Sequence, residues 1–257
     1  MFYSLVEGNV PVLAVAIHNG HDLREEVANT MALDDASRFR EEDPYTGVWT
    51  TVVKNRIVVY RSRFEVDLNR PREKAVYQKP EDAWGLTVWK KQPSQGLIAR
   101  SLALYDGFYA QLHRTCSNLE KEYGRFVVLD LHSYNHRRQG PQGKPADREG
   151  NPEINIGTGT MDRERWASLV DRFIRDLREF DYSGRSLDVR ENVKFLGGQL
   201  SRTVHEHFPG SGCALAVELK KFFMDEWTGT VDGEQLKEIR EALRATIPGI
   251  LDELKKP

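Results

Sequence analysis

The sequence predicts an α/β layered fold with a mostly parallel or mixed sheet. Apolar runs of strand length alternate along the chain with helices of clear 3.6-residue periodicity, and two of the runs are apolar on both faces. Strands that need cover on both faces belong to sheets with helices packed on each side. No repeat and no low-complexity tract divides the sequence, so a single domain over residues 1–257 is expected.

Apolar runs at four positions are expected to form strands, at residues 12–17, 56–60, 126–131 and 214–219. The first and third alternate poorly between apolar and polar residues, as buried strands do. A fifth short run precedes Asn55, a residue common in turns, and this predicts a hairpin with the strand at 56–60.

Three helices are predicted from apolar residues that recur at steps of three and four. They cover residues 98–123, 166–177 and 236–251. Gly124 is expected to end the first helix, and Pro248 to kink or interrupt the third. The Gly- and Pro-rich segment 139–160 has no such period and is expected to be a functional loop or lid.

The composition excludes several classes of protein. Lys and Arg number 37 against 39 Asp and Glu, so the formal net charge is -2 and no nucleic-acid partner is expected. The longest apolar run, at 10–17, is too short to cross a membrane, and Glu7 interrupts the region where a signal peptide would be apolar. Two cysteines are too few for a disulfide framework, so a cytoplasmic location is expected.

Histidines follow or end two of the predicted strands, at the sheet edge where α/β proteins bind ligands. His18 and His21 come directly after the first strand, and His132 ends the third. Imidazole is a common zinc ligand, and two local ligands plus a distant one are usual for catalytic zinc, which keeps one position open for water. Solvated histidines at a helix start, and a purely structural His132, are the alternatives.

Charged residues mark two further candidate positions. Glu218 lies inside the apolar run 214–219, where burial would raise its pKa toward the range useful for acid/base catalysis. A buried ion pair with an arginine is the alternative. In the stretch 61–72, period-two alternation places Arg61 and Arg63 on one face, and arginine binds carboxylates bidentately. A solvated edge strand with ion pairs is the alternative there.

Short segments spread over residues 17–226 resemble, in order, the N-formylglutamate amidohydrolase family, part of the zinc carboxypeptidase and aspartoacylase-like group. The segments are Ile17-His18-Asn19-Gly20, Val66-Asp67-Leu68-Asn69-Arg70, Leu129-Asp130-Leu131-His132-Ser133, Asn155-Ile156-Gly157-Thr158, Phe195-Leu196-Gly197-Gly198-Gln199-Leu200-Ser201-Arg202, and Ala216-Val217-Glu218-Leu219 with Met224-Asp225-Glu226. The resemblance implies one catalytic domain with a three-layer α/β/α fold around a mixed, mostly parallel sheet, of the zinc carboxypeptidase-like (phosphorylase/hydrolase-like) type.

The resemblance also implies one zinc ion per chain. His18 and His132 match the two histidine ligands of the family pattern. The wider group has a glutamate ligand three residues after its first histidine, whereas this chain has His21. Because zinc accepts three histidines readily, His21 is expected to be the third ligand.

The same resemblance assigns the catalytic and binding roles. Glu218 matches the catalytic glutamate, which would take a proton from water and pass it to the departing amine. Asn69 and Arg70 match the pair that holds the substrate carboxylate. Arg63 or Arg61 is expected to stabilise the oxyanion, with Arg61 otherwise available to the anionic substrate.

The expected function is therefore zinc-dependent hydrolysis of a small, carboxylate-bearing N-acyl amino acid such as N-formylglutamate. A zinc peptidase or amidase acting on peptides or cell-wall fragments is a second possibility, which an open cleft beside residues 139–160 would favour. A non-catalytic carboxylate-binding relative is a third, and His21 in place of glutamate is the feature that favours it.

Overall fold

A mixed seven-stranded sheet runs through the computed structural model, which describes residues 1–256. The strands are β1 (Tyr3–Val6), β2 (Val12–Ala16), β3 (Asn55–Val59), β4 (Phe126–Tyr134), β5 (Ile154–Gly157), β6 (Val189–Glu191) and β7 (Gly212–Lys220). Their order is β1-β3-β2-β4-β7-β5-β6. The central strands β3, β2, β4 and β7 are parallel, whereas β1 is antiparallel to β3 and β5 is antiparallel to β7.

Helices connect these strands and cover the sheet. They are α1 (Glu25–Thr30), α2 (Asp35–Glu41), α3 (Thr46–Trp49), α4 (Gln95–Tyr123), α5 (Ala167–Glu179), α6 (Gln199–His207), α7 (Gly233–Ala245) and α8 (Ile247–Lys255), with 3-10 turns at Thr50–Val52, Arg72–Lys74, Pro80–Ala83 and Lys221–Phe223. Within residues 1–256, no helix is both long enough and apolar enough to span a bilayer.

Alternate residues of the central strands enter two separate cores, which makes the architecture three-layered. Val12 and Ala14 of β2 share a core with Phe173 of α5, and that core also includes residues of α7 and α8. Leu13 of β2 packs instead in a core with Phe108 of α4. Because successive side chains of a strand point to opposite faces, helices cover both sides of the sheet. The predicted α/β fold with a mixed sheet is confirmed.

The predicted elements match the structure closely where burial is strongest. All four predicted strands and all three periodic helices are present. Gly124 follows α4 with φ 76°, a conformation that glycine adopts without steric cost. Pro248 lies in the first turn of α8 and separates it from α7, as the sequence predicts.

Two expectations about local structure are wrong. No hairpin forms around Asn55, because Thr50–Val52 is a 3-10 turn in which Thr50 Oγ1 donates to the carbonyl of Gly47. Asn55 instead begins β3, where its side chain hydrogen-bonds the backbone of the β1–β2 connection. The segment 139–160 also contains a regular element, since β5 pairs with the central strand β7 and is fully buried.

Candidate active site

A polar cavity of about 390 Å³ opens at the carboxyl ends of the parallel strands. His18 lies two residues after the end of β2, and His132 and Glu218 lie near the ends of β4 and β7. Six of the eight residues proposed from the sequence line this cavity: His18, Arg63, Asn69, Arg70, His132 and Glu218. The fold thus brings together residues that are up to 200 positions apart in the chain.

The cavity contains a compact group of possible metal ligands, His18, Asp43 and His132. One ligand atom from each residue lies within 4.8 Å of those of the other two, and all three residues are buried. Oδ2 of Asp43 is 3.4 Å from Nδ1 of His18 and 2.8 Å from Nδ1 of His132. Although burial alone would raise the pKa of Asp43, the hydrogen bond from His132 and the nearby imidazole of His18 hold that pKa well below its usual range.

Two further carboxylates orient the histidines by bonding Nε2 of each ring. Nε2 of His18 donates to Oδ1 of Asp67 at 2.8 Å, and Nε2 of His132 donates to Oδ1 of Asp130 at 2.9 Å. Each imidazole therefore presents Nδ1 to Asp43. A carboxylate on the second ring nitrogen is the usual partner of a metal-binding histidine, because it fixes the ring and raises its basicity.

Asp43 is held in place by its backbone. Its N–H donates to the carbonyl of His18 at 2.9 Å, and its carbonyl accepts from the Thr46 hydroxyl at 2.7 Å. The buried ammonium of Lys221 donates to the carbonyls of Arg40 and Glu42, which pins the preceding segment to the end of β7. Burial lowers the pKa of Lys221 to about 8.

Sequence reasoning missed Asp43 and selected His21 in its place. The structure does not bring His21 to the cavity: its Nδ1 donates to Glu42 Oε2 at 2.6 Å, and Arg38 lies 3.1 Å from its Nε2. The His21 side chain is also 36% exposed. The available signal was that this chain lacks, at position 21, the glutamate ligand of the wider group, because its absence called for an acidic residue from elsewhere in the chain.

Glu218 lies on β7, the strand next to β4, and faces the possible metal ligands. It pairs in register with His132, so both side chains lie on the same face of the sheet. Burial raises the pKa of Glu218 to about 7, and the nearby carboxylates Asp43 and Asp130 add to the effect. A carboxyl group with this pKa can accept and release a proton near neutral pH.

Arg63 reaches the same cavity, whereas Arg61 does not. Nη2 of Arg63 donates to Oδ2 of Asp67 at 2.7 Å, and its guanidinium lies 4.8 Å from the ring of Trp84. Arg61 turns away from the cavity and approaches Glu65, with Nη1 3.9 Å from Oε2. Of the two arginines expected near the oxyanion, only Arg63 lines the cavity.

Asn69 and Arg70 lie on one wall of the cavity. The Asn69 side chain is so close to Gly198 that a Cβ there would lie 2.1 Å from its Oδ1, which explains the glycine at this position. The Arg70 side chain is 38% exposed, with Nε 3.8 Å from Oδ2 of Asp67. Its guanidinium is thus available to a carboxylate that enters from solvent.

The residues of the cluster fit a zinc ion. Nδ1 of His18 is buried and has no hydrogen-bond partner among the described residues. Two imidazoles and one carboxylate are an established ligand set of catalytic zinc, and in such sites the fourth position stays open to water or substrate. The 390 Å³ cavity supplies space for that position.

The chain is similar to known proteins in sequence and in fold. Residues 10–223 match the model of the N-formylglutamate amidohydrolase family. The crystal structure of N-formylglutamate amidohydrolase from Ralstonia eutropha superposes with a TM-score of 0.78 at 16% identity, covering 99% of this chain and 98% of that one. A gene product from Agrobacterium tumefaciens superposes with a TM-score of 0.70 at 18% identity, covering 99% and 96%. No curated protein sequence matches the chain significantly.

Proposed function

Because the chain belongs to the N-formylglutamate amidohydrolase family, a family of hydrolases, we propose that it is a zinc-dependent amidohydrolase. Its substrate would be a small N-acyl amino acid such as N-formylglutamate. The observation that carries this proposal is the position of Glu218, a buried carboxyl group with a pKa near 7, in the same cavity as His18, Asp43 and His132.

The proposed metal site differs from the site expected from the sequence in one ligand. His18 and His132 would hold zinc through Nδ1, and Asp43 would replace His21 as the third ligand. When bound, zinc lowers the pKa of water and polarises a carbonyl oxygen. Asp67 and Asp130 keep the two imidazoles oriented toward this position.

Glu218 would act as the proton carrier. As a carboxylate it takes a proton from the water that attacks the amide carbon, and as an acid it passes this proton to the departing nitrogen. The products of a formyl substrate are then formate and the free amino acid. Arg63 would donate to the carbonyl oxygen as negative charge builds there, and its link to Asp67 keeps the guanidinium in place.

The substrate would be oriented by its carboxylate. Arg70 lines the cavity with 38% of its side chain exposed and can form a bidentate contact with a carboxylate, beside the amide of Asn69. Such a clamp fixes the distance from the bound carboxylate to the scissile amide. The segment 139–160, which a peptidase would use as the border of an open cleft, contributes no residue to the cavity lining.

A substrate panel tests this function. Zinc-loaded, tag-free protein is expected to release formate from N-formylglutamate, to lose this activity with a zinc chelator, and to recover it when zinc is restored. N-acetylglutamate and alanylglutamate serve as comparison substrates. Hydrolysis of the dipeptide without formate release would favour the peptidase, and binding without turnover of any compound would favour the non-catalytic relative.

A further inference from the structure

Lys194 is a cation of the cavity for which the fold supplies no carboxylate partner. Its Nζ donates to Oδ1 of the neutral Asn151 at 2.7 Å, and it forms no ion pair within residues 1–256. Burial and the positive charge of Arg138 lower the pKa of Lys194, while the charge of Glu218 partly offsets this effect. An anion bound beside Lys194 would offset the repulsion between Lys194 and Arg138.

The other cations of the cavity are already engaged. Arg63 is paired with Asp67, and Arg138 is paired with Glu41, with Nη2 3.2 Å from Oε2. Lys221 is buried against two backbone carbonyls. Arg70, the clamp of the proposed function, is paired only at 3.8 Å from Nε to Oδ2 of Asp67, and Lys194 has no carboxylate partner within residues 1–256, so these two cations can meet the charge of a substrate.

Two buried polar side chains of the same cavity also lack partners. Asn135 is only 5% exposed and Ser133 only 6%, yet Asn135 Oδ1 and Ser133 Oγ have no hydrogen-bond partner among the described residues. Buried polar atoms are nearly always satisfied, so unpaired ones that line a cavity indicate a group that binds there. Asn135 Oδ1 is an acceptor and therefore fits an N–H donor of the substrate.

We propose that Lys194 and Asn135 are the residues that recognise the amino-acid part of the substrate of the proposed function. Lys194 pairs with the side-chain carboxylate, and Asn135 Oδ1 accepts the N–H of the scissile amide. This assignment rests on the proposed function, in which Arg70 holds the other carboxylate. It makes Lys194 the residue that determines specificity, because a neutral side chain can accept a hydrogen bond from the ammonium group but cannot form an ion pair with it.

The two residues are expected to have different effects on two matched substrates, N-formylglutamate and its neutral isostere N-formylglutamine. Lys194→Met should lower kcat/KM about 10-fold for the acidic substrate, mainly through KM, and leave the neutral one unchanged. Lys194→Arg should keep the preference for the acidic substrate. Asn135→Ala should lower kcat/KM for both substrates alike, because both carry the same amide N–H. Lys237→Met, on the exposed face of α7, is the matched control and should change neither.

Equal loss on both substrates in Lys194→Met, or no loss on either, would overturn the inference. If wild-type protein turns over neither substrate, the proposed function fails, and binding decides the inference separately. Calorimetry would then compare glutarate with butyrate, which differ by one carboxylate and are not hydrolysed. Tighter binding of glutarate to wild-type protein, lost in Lys194→Met, supports the second carboxylate site, and equal binding of the two acids contradicts it.

Discussion

Replacing Glu218 by glutamine is expected to abolish turnover and to leave metal binding intact. The amide has nearly the same shape as the carboxyl group but cannot take a proton from water. Loss of a positioned general base typically costs about 10²- to 10⁴-fold in rate, so kcat should fall by about 10³-fold or more. Because Glu218 is not among the three clustered ligands, zinc content should stay at the wild-type level.

The stability of this variant separates a catalytic role from a structural one. The raised pKa of Glu218 means that its ionised form is disfavoured in the folded protein. Above about pH 7, Glu218→Gln should therefore unfold at the same temperature as wild-type protein or higher. Glu206→Gln, at an exposed position of α6, is the control for rate and melting temperature. A Glu218→Gln enzyme with activity within 10-fold of wild type would remove Glu218 from the mechanism.

Asp43→Asn is expected to weaken zinc binding strongly, whereas His21→Ala is expected to leave it unchanged. Asparagine keeps the size of the side chain but removes the charge between the two Nδ1 atoms. Loss of an orienting partner behind a ligand already lowers metal affinity about 10- to 100-fold, so loss of the ligand charge itself should exceed about 100-fold. His21 lies outside the cluster, paired with Glu42.

Competition with a chromophoric zinc chelator measures both affinities under the same conditions. Hydrolysis by Asp43→Asn should fall together with zinc occupancy and recover in part at high zinc concentration. Circular dichroism of both variants checks that each remains folded. Weak zinc binding by His21→Ala, combined with wild-type affinity in Asp43→Asn, would contradict this assignment and support His21 as the third ligand.

The buried strands at the centre of the sheet could be predicted from the sequence because they leave a strong pattern. β4 and β7 are apolar over most of their length and each is fully buried, so their existence and most of their extent are visible as runs of apolar residues. The short outer strands β1 and β6 were not predicted. They are only four and three residues long and partly exposed, so they carry no such signal.

The residues of the candidate site were easiest to predict where they lie within those strands. His132 and Glu218 lie in buried strands, where a polar residue stands out. Asp43 follows α2 in the run Glu41-Glu42-Asp43, which looks like a solvated acidic end of a helix. Its N–H bonds the carbonyl of His18, just after β2, and Lys221 holds the carbonyl of the preceding Glu42; neither contact can be inferred from local sequence.

Arg61 and His21 illustrate the opposite error. Both residue types suit the site, and both lie next to residues that do reach it. Buried carboxylates of the surrounding fold, Glu65 and Glu42, pair with them instead. The choice between neighbouring candidates thus depends on which of them pairs with a buried carboxylate outside the cavity, four residues away for Arg61 and 21 residues away for His21.

The central claim is that His18, Asp43 and His132 hold a catalytic zinc ion. Anomalous diffraction recorded on both sides of the zinc edge, from crystals of the zinc-loaded protein, tests it most directly. We predict one strong peak per chain at about 2.0–2.2 Å from Nδ1 of His18, Nδ1 of His132 and a carboxylate oxygen of Asp43. A peak bound to His21, or no peak between these three residues in protein that contains zinc, would contradict the account.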